Sequence, residues 1–226
     1  MKGTKKNAAQ KHESLMTAES AGDEAKIGSS SRRGTLLVVT GPSGVGKGTI
    51  VGPLLMSVDQ IAKSVSVTTR ERRPGETEGV DYFFRTQEQF FNMRELGEFL
   101  ESAEFAGNFY GTPVRWVDEK LRAGLDVILE IEVQGAKQVR QKRQDAVLIF
   151  ISPPTFEVLE QRLRKRATET EPEMARRLAK ARDEMDERDL FDYEVINDNI
   201  EEAVRNLQSI VYAERLRIKI RDEAQR

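Results

Sequence analysis

"TLLVVTGPSGVGKGTI" occupies Thr35–Ile50. An apolar run, Thr35–Thr40, reads as a buried strand, and a helix is expected to start at Lys47 and run through Leu55. Between them lies a glycine-rich turn. Strand, glycine-rich turn and helix, in that order, are the context in which G-x-x-x-x-G-K cradles phosphate. Gly41, Gly44 and Gly46 let the backbone wrap closely around phosphate oxygens. Pro42, Ser43 and Val45 complete the loop, and the helix N-terminus adds N–H donors and a favourable dipole. Lys47 brings a mobile positive charge to a phosphate in transfer. The bland alternative is a glycine-rich turn with no ligand. The preceding strand and the Gly-Lys pairing weigh against it.

The usual motif places a hydroxyl directly after the lysine. Here that position is Gly48, and the hydroxyl, Thr49, comes one residue late. One residue turns a side chain by about 100° around a helix, so Thr49 cannot take over the role. In many phosphate-loop proteins that role is to hold Mg²⁺. Mg²⁺ keeps several waters and takes oxygens from substrate phosphates, which makes a direct protein ligand dispensable. Thr49 is then expected to bind a phosphate. The shift disfavours a switch GTPase and leaves a nucleotide-phosphate kinase open.

Composition narrows the chemistry further. The chain has 226 residues, enough for one sizeable α/β domain with insertions or for two small ones. Charged residues make up 33%, yet the net charge is −2, so no nucleic-acid partner is expected and any basic site must be local. There is no cysteine, and the one histidine, His12, sits in a polar N-terminal stretch. Disulfides, thiolate sites, a histidine base and a Ser-His-Asp triad are thereby disfavoured. Lys, Arg, Asp, Glu and hydroxyls must carry the chemistry. No apolar run approaches the ~20 residues that span a bilayer, and the N-terminus lacks the apolar core of a secretory signal. A cytoplasmic location without membrane contact is the expectation.

Residues 1–33 are polar and read as a disordered extension. Beyond Thr35, further strands are expected at 63–69 ("KSVSVTT"), 126–132 ("DVILEIE"), 146–152 ("AVLIFIS") and 193–197 ("YEVIN"). Helices are expected between them, including 155–166, and a last one from Ile200 with Ile200, Val204, Leu207 and Val211 on one face. Strands alternating with helices imply a parallel sheet covered on both faces. The stretch from about Thr69 to Trp116 breaks this rhythm with Arg, Glu, Gly and aromatic residues, and reads as an inserted subdomain.

Arg70, Arg72 and Arg73 follow a strand within four residues. Arginine forks pair with phosphate bidentately; a solvated charged turn is the competing reading. The wider string decides between them. "SVSVTTRERRPGETEGVDYFF" (64–84), "EFLESAEFAGNFYGTP" (98–113), the phosphate loop, "ILEIEVQGA" (128–136) and "RLRKRATETEPEMARRL" (162–178) resemble, in order and spacing, the guanylate kinase family. The resemblance covers roughly Gly34 to Arg217.

It implies a three-layer phosphate-loop fold with a five-stranded parallel sheet. The core would be 34–68 and 117–226, with a helical lid at about 162–178 and a mixed α+β GMP-binding subdomain at 69–116. It implies transfer of the γ-phosphate of ATP to GMP or dGMP, with Mg²⁺ carried by the nucleotide. Arg70, Arg73, Tyr82 and Tyr110 match the residues that hold the acceptor phosphate. Glu101 matches the carboxylate that reads guanine, Ser66 and Thr112 match hydroxyls at the base, and Glu132 matches a second acid. Arg166 and Arg177 match lid arginines that close over the phosphates, whereas Arg164 and Lys165 read as solvated. Ala167 replaces a family glycine, and Glu130 and Glu132 stand where aspartates are common. "NDN" (197–199) matches a segment near adenine and also reads as an N-cap at Asp198 or Asn199.

An acceptor phosphate is already anionic at neutral pH and needs no general base, which fits a chain with one histidine. A non-catalytic, peptide-binding relative is the alternative; such modules typically have degraded ATP loops, whereas this one is complete. The sequence leaves the oligomeric state open.

Overall fold

The computed structural model describes residues 32–166 and 170–218, with the side chain of Arg166 outside that set. The chain runs β1 (Leu36–Thr40), α1 (Lys47–Ser57), β2 (Ile61–Lys63), β3 (Ser66–Thr68), β4 (Tyr82–Phe84), α2 (Gln87–Glu95), β5 (Phe99–Phe105), β6 (Asn108–Pro113), α3 (Val114–Arg122), β7 (Asp126–Glu130), α4 (Val133–Lys142), β8 (Val147–Ser152), α5 (Phe156–Arg166), α6 (Glu171–Asp186), β9 (Tyr193–Ile196) and α7 (Ile200–Leu216).

Five strands form a parallel sheet in the order β2-β7-β1-β8-β9. Its two faces follow from alternation along β1. Leu37 and Val39 point into one core with Ile50 and Leu54 of α1, Leu159 and Leu163 of α5, and Leu207 of α7. Leu36 and Val38 point into the other, with Val117 and Leu121 of α3 and Ala136 and Val139 of α4. Helices therefore cover both faces, as a parallel sheet of apolar strands requires. The phosphate loop leaves the C-terminal end of β1, at the centre of this sheet.

A second, mixed sheet of four strands runs β4-β3-β6-β5. Val67 and Phe99 from it pack on Phe90 of α2, and the Phe90 and Phe99 rings stack at 4.7 Å.

The structure departs from the sequence expectations at several points. The single strand at 63–69 is two short strands in different sheets. Lys63 registers with Ile128 in the large sheet, whereas Ser66 registers with Tyr82 in the small one. The small sheet thus starts at Ser66, before the expected subdomain boundary at 69, and ends at Pro113, because α3 packs on the core. On α7 the buried stripe is Ala203, Leu207, Ile210, Val211 and Glu214, while Ile200 is half exposed. The sheet-facing stripe begins one turn into the helix, and Ile200 turns toward the phosphate loop beside Gly46 and Thr49. Of the expected disordered leader, Arg32 and Arg33 are described. Arg32 reaches the buried carboxylate of Asp126 at 2.8 Å, and Arg33 reaches Asp118 at 3.5 Å. The rest of the leader, and Ala167, lie outside the described residues.

Candidate active site

The phosphate loop is shaped by its backbone. Gly46 caps α1 with φ 93°, a left-handed value that side chains rarely adopt. A Cβ there would also lie 2.7 Å from Nδ2 of Asn197. That amide donates to the carbonyl of Val45 at 2.7 Å and so ties the loop to the end of β9. Arg162 ties the same two places, donating to the carbonyls of Asn197 (3.0 Å) and Val45 (3.4 Å). Asn199 caps α7, accepting from the backbone N–H of Glu202 at 3.0 Å.

Lys47 folds back over the loop and donates to the carbonyl of Gly41 at 2.7 Å. Burial holds its ammonium below the ordinary lysine value, and the carboxylates of Glu184, Glu130 and Glu132 act in the other direction. Thr49 donates its hydroxyl proton to the Gly46 carbonyl at 2.6 Å and so braces the turn that opens α1. Gly48 faces Glu130, and a Cβ there would lie 3.3 Å from its Oε1. Glu130 in turn accepts from Lys63 at 2.7 Å.

Helix α6 reaches the loop along one face, at a spacing of three and four residues. Arg177 donates to the Ser43 hydroxyl at 3.2 Å, and Lys180 pairs with Glu132 at 2.8 Å. Glu184 is buried, and burial raises its carboxyl above the ordinary range, while Lys180, Lys47 and the backbone of Ser43 act in the other direction. Sequence reading missed Glu184. The 177–180–184 spacing on an amphipathic helix was the available signal. Arg164, expected to be solvated, pairs with Glu160 and Glu171 on the surface.

The small sheet supplies the opposite wall. Ser66, Arg70, Arg73, Tyr82, Glu101, Tyr110 and Glu132 line one cleft of about 490 Å³ together with Glu130. Glu130 therefore borders both this cleft and Gly48 of the phosphate loop. The Cζ of Arg70 lies 5.4 Å from the centroid of the Tyr82 ring, and Tyr82 meets Tyr110 edge-on at 6.0 Å. Glu101 lies on β5, 5% exposed, with Thr112 donating its hydroxyl at 2.6 Å. Burial pushes its carboxyl above the ordinary carboxylate range, and the bonds from Thr112 offset part of that. Gly135 makes the room: a Cβ there would lie 3.1 Å from Oε2 of Glu101. Gly135 also escaped the sequence reading, because only the packing of α4 on β5 brings the two together.

Comparison with known proteins identifies the family. The family model of guanylate kinase matches residues 33–214. The guanylate kinase of Synechococcus sp. (strain JA-3-3Ab) is 54% identical over 180 residues, covering 80% of this chain and 83% of that protein. The guanylate kinase of Rubrobacter xylanophilus is 52% identical, covering 80% of this chain and 94% of that protein. Among solved structures, the guanylate kinase of Anaplasma phagocytophilum superposes with a TM-score of 0.64 at 36% identity, covering 82% of this chain and 88% of that one. A family model that matches nearly all of the described chain, and relatives above half identical over four fifths of it, show that this protein belongs to the guanylate kinase family.

Proposed function

We infer that the protein transfers the γ-phosphate of ATP to GMP or dGMP, giving ADP and the diphosphate. The observation that carries this reading is the buried carboxylate of Glu101 at the base of a cleft whose wall presents Arg70, Arg73, Tyr82 and Tyr110. Guanine offers N1–H and N2–H₂ as adjacent donors, and one carboxylate accepts from both. Adenine lacks the N2 amino group and reverses the donor pattern at position 6. It would leave buried polar groups unpaired, a mismatch that can be worth about 10⁴-fold in selectivity.

In this reading the small sheet, Ser66–Pro113, is the GMP-binding subdomain, and α5 with α6 forms the lid. Lys47 and the loop amides of residues 41–49 hold the ATP phosphates. Arg70, Arg73, Tyr82 and Tyr110 hold the phosphate of GMP; Ser66 and Thr112 position the base with Glu101, and Glu132 positions the nucleotide. Arg166 and Arg177 neutralise charge on the migrating phosphoryl group. The acceptor oxygen is anionic already, so catalysis consists of alignment, charge neutralisation and water exclusion. Closure of the two walls on substrate supplies the last of these.

The described residues contain no cluster of three His, Asp or Glu that could hold a metal. Mg²⁺ would be held by nucleotide phosphates and water, and Glu130, which faces Gly48 of the loop, would supply a carboxylate to its hydration shell. When bound, the ion supplies charge neutralisation between the phosphates. The reaction belongs to purine nucleotide recycling, in the cytoplasm. No described helix is long and apolar enough to cross a membrane.

The test is ADP release by the purified chain with Mg·ATP and GMP, AMP, CMP or UMP in parallel. Strong turnover with GMP alone is expected. Turnover with another nucleotide would overturn the role of Glu101, and GMP binding without turnover would favour a binding module.

A further inference from the structure

Glu76 has no place in the chemistry above, yet it is the hub of the arginine turn that faces the acceptor cleft. Its Oε1 accepts from Nη2 of Arg70 at 2.6 Å, and its Oε2 accepts from the backbone N–H of Arg73 at 2.8 Å. Its own backbone N–H donates to the carbonyl of Arg73 at 3.2 Å, and its carbonyl accepts from Nε of Arg72 at 2.5 Å. One residue thus engages all three arginines of "RERR". The side chains of the Arg70–Glu76 pair are mostly shielded, at 14% and 19% exposure. Arg70 gives a second N–H to the carbonyl of Glu71 at 2.7 Å. Its guanidinium carries five N–H donors in a rigid fork, so it is held in place with donors still free to meet a phosphate.

We propose that Glu76 is a positioning residue for the acceptor phosphate: it fixes the forks of the 70–73 turn before substrate arrives, without touching the substrate itself. The proposal rests on the acceptor-site reading given above. A carboxylate beside a phosphate site has a rival role, that of a placeholder which leaves when the phosphate enters. The bonding of the turn argues against it. The Glu76 side chain also accepts from the backbone N–H of Arg73, so leaving would strip that N–H of its partner as well as releasing Arg70. A side chain that stays lowers the ordering cost of binding, because Arg70 no longer loses its rotamer freedom when GMP arrives. Arg70 and the Arg73 N–H also hold the Glu76 carboxyl below the ordinary carboxylate range, so it is an anion wherever the enzyme works.

The experiment uses the full chain with Glu76→Gln and Glu76→Asp, measuring KM for GMP and for ATP, and the inhibition constant of guanosine, which lacks the phosphate. Glu76→Gln is expected to raise the GMP KM about tenfold, the size of a lost charge-assisted hydrogen bond, with the ATP KM and the guanosine constant nearly unchanged. Glu76→Asp keeps the charge with a shorter reach and is expected to fall between. On an Arg70→Ala background, Glu76→Gln should lose most of its effect, because its partner is gone. An unchanged or lowered GMP KM in Glu76→Gln would overturn the proposal, the lowered value pointing to a placeholder. An equal loss of guanosine and GMP would also overturn it, by making Glu76 a general scaffold residue. Failure of the underlying reading looks different: Arg73→Ala would then leave the GMP KM untouched.

Discussion

The two walls of the cleft are built in opposite ways. The phosphate loop is a main-chain device. Its shape comes from positive-φ glycines and from the Asn197 and Arg162 bonds to the Val45 carbonyl, and its one cation, Lys47, lies half-buried against the Gly41 carbonyl. The acceptor wall is a side-chain device. Arg70, Tyr82, Glu101 and Tyr110 come from separate stretches of chain, and side-chain contacts hold them: the Arg70–Glu76 ion pair, the edge-on Tyr82–Tyr110 rings and the Thr112 bond to Glu101. A main-chain site recognises what all nucleoside triphosphates share, the phosphate chain. A side-chain site can recognise what distinguishes one base from another. The donor wall should therefore be sensitive in rate, and the acceptor wall in selectivity and KM.

The largest break in that comparison should come from Lys47→Ala. Removing a charge aimed at the transferred phosphate is expected to lower kcat by about a thousandfold, and the GMP KM should move far less. A change mainly in GMP KM would erase the distinction between the walls. Next in size is Arg73→Ala, expected to lower kcat/KM for GMP about a hundredfold through the loss of a charged phosphate contact. Steady-state titration of both substrates would read it; unchanged GMP kinetics would remove Arg73 from the site.

Glu101→Gln sharpens the comparison from the other direction. It should weaken the preference for GMP over AMP about tenfold or more, since Gln offers one acceptor where guanine presents two donors. The same variant should be more stable than the wild type. The folded-state value of Glu101 is raised, so the native state holds its proton more tightly, and wild-type stability falls as pH rises from the ordinary carboxyl value through the folded one. A rise of about 2 °C in Tm near pH 7.5 is expected, shrinking as the pH is lowered toward the ordinary carboxyl range. A lower Tm at every pH would show that the Thr112 bond outweighs burial.

The smallest effect concerns Lys47. Burial holds its ammonium below the ordinary lysine value, and kcat/KM for ATP reports the free enzyme. The alkaline fall of that parameter should therefore begin below the pH at which a free lysine titrates. A limb at or above that pH would mean that Glu184, Glu130 and Glu132 outweigh the burial of the ammonium.

Contiguity explains how much the sequence determined. The loop reads directly, because strand, glycines and lysine lie within sixteen consecutive residues and the backbone itself is the ligand surface. The large strands also read directly, since a parallel sheet buried on both faces needs uninterrupted apolar runs. The arginines of 70–73 and the aromatics after them could be assigned through the family string. Only the tertiary structure decided the rest. Where "KSVSVTT" crosses from one sheet to the other depends on strand partners, not on propensity. That Glu101 is buried depends on β5 packing against Gly135 of α4, and that Thr49 braces the loop depends on where the Gly46 carbonyl points. The 177–180–184 spacing marks one face of α6, but that this face meets the phosphate loop, far away in the chain, depends on packing. Local sequence specifies what a segment can form; which polar group ends up facing which depends on long-range packing, because a buried carboxylate takes its character from neighbours far away in the chain.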